Sequence, residues 1–201
     1  VSKAKIAAIV DDVDFVKNVF FEFLNILPSF EIANSDILPF GLRPHTRSVS
    51  WIVEQVITQQ TKKNGLELGL TGVEFHMPDT SLHNCIIHVD NKKYYINIKI
   101  HDMAKRHSES DIAAVEKLFK NYKEIPDYNI IYACFGIHFE GNSIRFDPEY
   151  LKLFSPQFMP IYINPRNDKL QALYHHDPEY RTRRNFLDLL VRGSTSIALK
   201  G

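Results

Sequence analysis

The sequence predicts an α/β fold, a mixed β-sheet flanked by helices, on three observations. Apolar residues recur at spacings of three and four over residues 10–27 and again over 48–63, the period of an amphipathic helix. From Tyr94 to His101 the pattern changes to strict alternation, the period of a half-buried strand. From Ile130 to Phe139 the chain is almost wholly apolar, as a central strand buried on both faces would be. Helices come first, a hairpin follows, and helix and strand alternate after it, the order of a layered α/β domain.

Each element has its own local signal. Val13, Val16, Phe20, Phe23 and Leu24 form the apolar face of the first helix, with Asp11 and Asp12 favouring its start and Pro28 ending it. A loop with Asn34, Ser35 and Pro39 follows. Thr46 or Ser48 is the candidate cap of the second helix, whose inner face is Val49, Ile52, Val53, Val56 and Ile57; Asn64-Gly65 is its stop. Short runs broken by turn residues predict β-structure over 66–101. Ile112, Val115, Leu118 and Phe119 put a helix over 111–122, and Glu140-Gly141-Asn142 reads as a turn. Residues 148–154 are predicted as a short helix and 160–164 as a short strand. A last helix over 182–191 turns Phe186, Leu189 and Leu190 inward.

With 201 residues and 44% hydrophobic content, the chain can bury one core, or one core and a small subdomain. We treat residues 1–201 as a single domain. The 24 basic and 24 acidic side chains give a formal net charge of zero. That excludes a protein that coats nucleic acid by bulk charge, but not an enzyme whose basic groups line one groove. Cys85 and Cys134 lie in the apolar runs CIIHV and IIYACFGI, so buried free thiols are expected. No apolar run reaches the roughly 18 residues that span a bilayer. No signal peptide is visible, and a cytoplasmic location is the expectation. His83, Cys85, His88 and Cys134 lack the paired spacing of a zinc site. No Walker loop, dinucleotide-binding glycine motif or GxSxG elbow is present.

The most informative stretch is HNCIIHVDNKKYYINIKIH, from His83 to His101. Within it Tyr94, Ile96, Ile98 and Ile100 share one face, and Tyr95, Asn97, Lys99 and His101 the other. If Asp90-Asn91-Lys92-Lys93 closes the hairpin, Val89 faces Tyr94, Ile86 faces Asn97, and Asn84 faces Lys99. Paired residues project from the same face, so Asn84, Asn97 and Lys99 would gather at one end of it.

This arrangement resembles the PD-(D/E)xK nuclease superfamily and, within it, type II restriction endonucleases. There an Asp begins one strand, and an acid, any residue and a Lys follow on the next. The resemblance implies a restriction-endonuclease-like sheet with its catalytic hairpin at about 72–101. It also implies hydrolysis of DNA phosphodiesters with Mg2+, for which Mn2+ can substitute. In such chemistry carboxylates hold the cation that polarises the phosphate and acidifies the attacking water, and the Lys orients that water or stabilises the developing charge. Lys99 matches the lysine. Asn97 stands where the second acid is usual, and Asn84 where the first Asp is. Three readings stay open: Asp79, in the literal Pro78-Asp79 pair, is the metal-binding acid; Asn84 is an Asp-to-Asn change that inactivates the site; or the domain is degenerate and only binds DNA. Glu54, at the edge of the second helix's apolar face, is a further candidate ligand, or else a solvated helix residue. Glu74 is a weaker one, more simply a surface strand residue.

Double-stranded DNA is the implied partner. Arg43, Arg47 and Ser48 lead into a helix start and suit a phosphate clamp. Lys105 and Arg106 follow the hairpin directly. Asn164, Arg166, Asn167, Gln171, Arg181 and Arg183 are dense in groups that hydrogen-bond base edges, so about 160–185 is the candidate recognition region. Each of these also reads as an ordinary capped helix or polar loop. A chain this small without a separate DNA-binding domain suggests a homodimer reading a short palindrome.

Overall fold

The computed structural model describes residues 2–33, 36, 45–75, 81–106, 109–112, 114–166 and 169–194. In chain order the elements are α1 (Ser2–Leu24), β1 (Phe30–Glu31), α2 (Thr46–Lys63), β2 (Gly72–Glu74), β3 (Cys85–Val89) and β4 (Lys92–Asp102). They continue as β5 (Glu109–Asp111), α3 (Val115–Glu124), β6 (Ile130–Glu140), β7 (Ser143–Phe154), β8 (Ile161–Asn164), β9 (Lys169–Leu173) and α4 (Arg183–Arg192), with a 3-10 turn at Pro156–Phe158. The predicted mixed α/β class is the one observed. The expected loop residues Asn34, Ser35 and Pro39 lie outside the described residues.

Six strands form the main sheet in the order β1-β7-β6-β4-β3-β2. Its one parallel pair is β4 with β6, Lys99 opposite Cys134, because the chain crosses over through α3 between them. A second, antiparallel sheet has the order β5-β9-β8.

Alternation along the strands sends side chains to two cores. On one face Ile87, Ile96, Ile98 and Phe135 pack with Val16, Phe20, Phe23, Val53 and Ile57 of α1 and α2. On the other, Ile130 and Tyr132 pack with Leu118, Tyr122, Leu170 and Phe186 of α3, β9 and α4. Burying each such side chain contributes roughly 1.5–3 kcal/mol. The continuous apolar run of β6 follows from this, since both of its faces meet a core. Helix α1 begins well before residue 10 because Ile6 and Ile9 extend its stripe onto the second cluster. Cys85 and Cys134 are free and buried, as expected. Among the described residues no helix is long and apolar enough to cross a membrane.

Three expectations are overturned. The hairpin turn is Asp90-Asn91, with Asp90 at φ 51, so Lys92 and Lys93 belong to β4 and Val89 faces Lys92 rather than Tyr94. Tight two-residue turns favour positive φ at Asn and Asp, and their twist matches the strands. An even shift leaves every residue on its predicted face. The short helix over 148–154 is strand β7, which completes a hairpin with β6 around Gly141 (φ 65). Pro148 is tolerated because the register shifts between Phe135 and Ile137, leaving a bulge opposite. There Gly136 is required: a Cβ would lie 2.7 Å from Tyr150 Cβ. The predicted helix over 111–122 begins only at Val115, because Asp111 is drawn into β5 beside Gln171.

Candidate functional site

Strand β3 stops at Cys85 while β4 runs on to Asp102, and this mismatch opens the site. Asn84, the first residue beyond β3, still donates its backbone N–H to the Ile96 carbonyl at 2.8 Å. Past that point its side chain replaces the missing strand: Oδ1 accepts from the Ile98 N–H at 2.7 Å. A backbone N–H can only donate, so the amide orientation is determined, and Nδ2 must point away. It donates to Glu54 Oε2 at 2.8 Å.

Glu54 reaches this position because α2 packs across β4. Burial raises its pKa, opposed by the positive charge of Lys99 and by the Asn84 hydrogen bond. It is half-buried rather than fully exposed. Lys99 projects from the predicted face, with Nζ 5.6 Å from the centroid of the Tyr132 ring. Glu54, Asn84 and Lys99 thus converge, although Asn84 does not pair across from Lys99.

Asn97 shares the face but not the cluster's interactions. Its Nδ2 donates to the Leu82 carbonyl, and Oδ1 is buried without a partner among the described residues. It ties the segment before β3 to β4. Glu74 lies away from the cluster, bonded to His88 at 2.6 Å and near Lys93 at 3.6 Å. Asp79 lies outside the described residues. Tyr132 was not foreseen, since only the parallel pairing of β4 with β6 brings it beside Lys99.

The basic candidates divide by what holds them. Arg43 and Asn167 lie outside the described residues. Arg47 is exposed in the first turn of α2. The cap of that helix is His45, not Thr46 or Ser48; Ser48 Oγ donates to the His45 carbonyl at 2.8 Å and accepts from its N–H. Lys105 bridges Asp102 at 3.2 Å and Thr46 at 3.1 Å, which brings the start of α2 beside the end of β4. Arg106 next to it is exposed, as is Arg166 in the β8–β9 turn.

The remaining recognition candidates face inward. Gln171 is 8% exposed; Oε1 accepts from Tyr162 at 2.6 Å and from Asn164 at 3.0 Å, and Nε2 donates to Asp111 at 2.6 Å. Arg181 donates to the carbonyls of Gln157 and Met159 and pairs with Glu179. Arg183 donates to the carbonyls of Tyr122, Ile125 and Tyr128, closing the C-terminal end of α3. With their polar groups so engaged, Gln171, Arg181 and Arg183 hold the second layer together.

Among the described residues the site is a poor fit for Mg2+, because Glu54 is the one carboxylate they bring to it. The Asn84 oxygen is taken by Ile98, and the Asn84 NH2 occupies the space before Glu54. Among the described residues no three His, Cys, Asp or Glu side chains form a group able to hold a metal. No protein-family model matches the chain, and no curated protein is significantly similar to it.

Proposed function

We propose that this chain is a double-stranded DNA-binding domain with the scaffold of a PD-(D/E)xK endonuclease, held in a non-cleaving form by Asn84. The observation that carries this is the convergence of Glu54, Asn84 and Lys99 at the point where β3 ends and β4 continues. A half-buried acid, a residue at the start of one strand and a lysine on the next are what phosphodiester hydrolysis needs, with an amide at Asn84 where a second carboxylate would serve. An amide oxygen is a poorer ligand than a carboxylate, and its NH2 repels a cation. Lys99 would meet a bound phosphate, with Arg47 and Arg106 at the same end of the sheet contacting the backbone. We infer further that two copies act together on a two-fold DNA site, in the cytoplasm.

Plasmid digestion with Mg2+ or Mn2+ tests this. The unmodified chain should bind DNA with a steep salt dependence and leave it uncut. Asn84→Asp should gain cleavage, and Lys99→Ala added to it should remove that gain. Cleavage by the unmodified chain would overturn the non-cleaving form and point to Asp79 as the acid. Absence of any salt-dependent DNA binding would overturn the whole proposal.

A further inference from the structure

At the opposite end of β4 from Lys99 lies a cleft of about 1160 Å³, formed by the start of α1, the β3–β4 turn, the segment before β6 and the first turn of α4. Lys93 at its edge is roughly 20 Å from Lys99 along the strand, at ~3.3 Å per residue. The two sites are therefore separate.

Its walls are apolar where Ile6, Ile9, Tyr95 and Pro126 line them. Five basic and two acidic side chains also line it. Both acids are already matched: Asp12 by Lys92 at 3.0 Å and Asp127 by Lys5 at 3.5 Å. Arg183 is engaged with carbonyls. Arg184 is exposed and forms no ion pair among the described residues, and Lys93 has Glu74 at 3.6 Å, which His88 holds more closely. Net positive charge thus remains, and the N-terminus of α4 adds to it.

The polar lining has an unmet need as well. One terminal atom of the Asn129 amide bonds the hydroxyls of Tyr122 at 3.0 Å and Ser155 at 2.6 Å, while the other is buried with no partner among the described residues. Buried polar atoms of this kind normally have a partner. Tyr95 and Tyr128 pack at 4.6 Å between ring centroids and give the cleft an aromatic wall. A metal cation would be repelled, and an apolar ligand would leave the charges unanswered. An anion joined to a planar body with hydrogen-bonding edges meets all three features.

We propose that this cleft binds a nucleoside phosphate, its base against the Tyr95 wall and its phosphate at Lys93 and Arg184. Aromatic walls beside cationic groups serve free nucleotides and single strands alike. The site goes beyond the proposed DNA-binding function and does not depend on it.

The test titrates the isotopically labelled, unmodified chain in EDTA with dAMP, deoxyadenosine, inorganic phosphate, a twelve-residue oligothymidylate and hexaglutamate, following amide resonances. The dAMP shifts should centre on Tyr95, Asn129 and the start of α4, with deoxyadenosine and phosphate each at least about tenfold weaker. Arg184→Glu and Lys93→Glu should each weaken dAMP about tenfold. Arg184→Glu should leave the melting temperature unchanged, since the side chain is exposed and an acid suits a helix start, while Lys93→Glu, placed beside Glu74, should lower it slightly. Tighter binding of the oligonucleotide at the same residues would support a strand as the source, and dAMP alone a free nucleotide. No shift at these residues up to millimolar dAMP, indifference to both charge reversals, or equal affinity for hexaglutamate would overturn the proposal. Because nothing is cleaved and Lys99 is untouched, these outcomes are independent of the plasmid assay.

Discussion

Two polar clusters of similar composition behave differently in this molecule. Around α2 and β4, Glu54, Asn84 and Lys99 gather at an interrupted strand pair, and a carboxylate is held where burial disfavours its charge. Around β9 and α4, Gln171, Arg181 and Arg183 bond almost entirely to backbone carbonyls and to neighbours in their own layer. In the sequence the second cluster looks more like a recognition surface than the first does. Its density of amides and guanidiniums instead reflects the carbonyls left over by a short helix, a 3-10 turn and a narrow sheet, which need donors when covered. In the first cluster Lys99 is half-buried and forms no ion pair within 4 Å among the described residues.

That contrast predicts opposite consequences for mutation. Arg183→Ala should have the largest effect on folding, about 3 kcal/mol in urea unfolding, because charge-assisted bonds to covered carbonyls are lost. DNA affinity of the fraction that remains folded should not change; a stable Arg183→Ala chain that no longer binds DNA would reverse the roles of the two clusters. Gln171→Leu should cost about 2 kcal/mol by leaving Asp111 and Tyr162 without their partner. Lys99→Ala should alter stability by under about 1 kcal/mol, yet weaken DNA binding measurably by fluorescence anisotropy.

Glu54 sharpens the contrast through pH. A raised pKa means that the folded chain holds the proton more tightly than the unfolded chain does. The associated stability is present below the ordinary value of 4.5 and is lost as pH rises through the raised value. Glu54→Gln should flatten the decline in melting temperature as pH rises above the ordinary carboxylate range. An unchanged slope would mean that the carboxylate is well solvated. The smallest effects belong to Arg47→Ala and Arg106→Ala. Each should leave stability within about 0.5 kcal/mol and reduce the salt slope of DNA binding by about one.

Much of the first cluster was legible because alternation is a local property. Lys99 and Asn97 fall on one face of β4 whatever the register, and the face survived the shift from Val89 opposite Tyr94 to Val89 opposite Lys92. The contact between Asn84 and Glu54 was not legible, since it depends on how α2 crosses the sheet. Strand β7 is not legible in the sequence because Glu149-Tyr150-Leu151-Lys152 has no strong strand signal of its own. Pairing with β6 supplies the order that local propensity lacks.

By itself the sequence determined the α/β class, the buried central strand, the face carrying Lys99 and the presence of asparagine at both positions beside it. All of these follow from residue identity and from periods of 2 and 3.6. Tertiary structure alone decided which polar groups face inward and which remain available. A hydrogen bond joins residues such as Arg183 and Tyr122, or Asn84 and Glu54, that are far apart in the chain. Whether a side chain finds its partner inside the protein or must find one outside depends on packing between layers, and no local pattern encodes that.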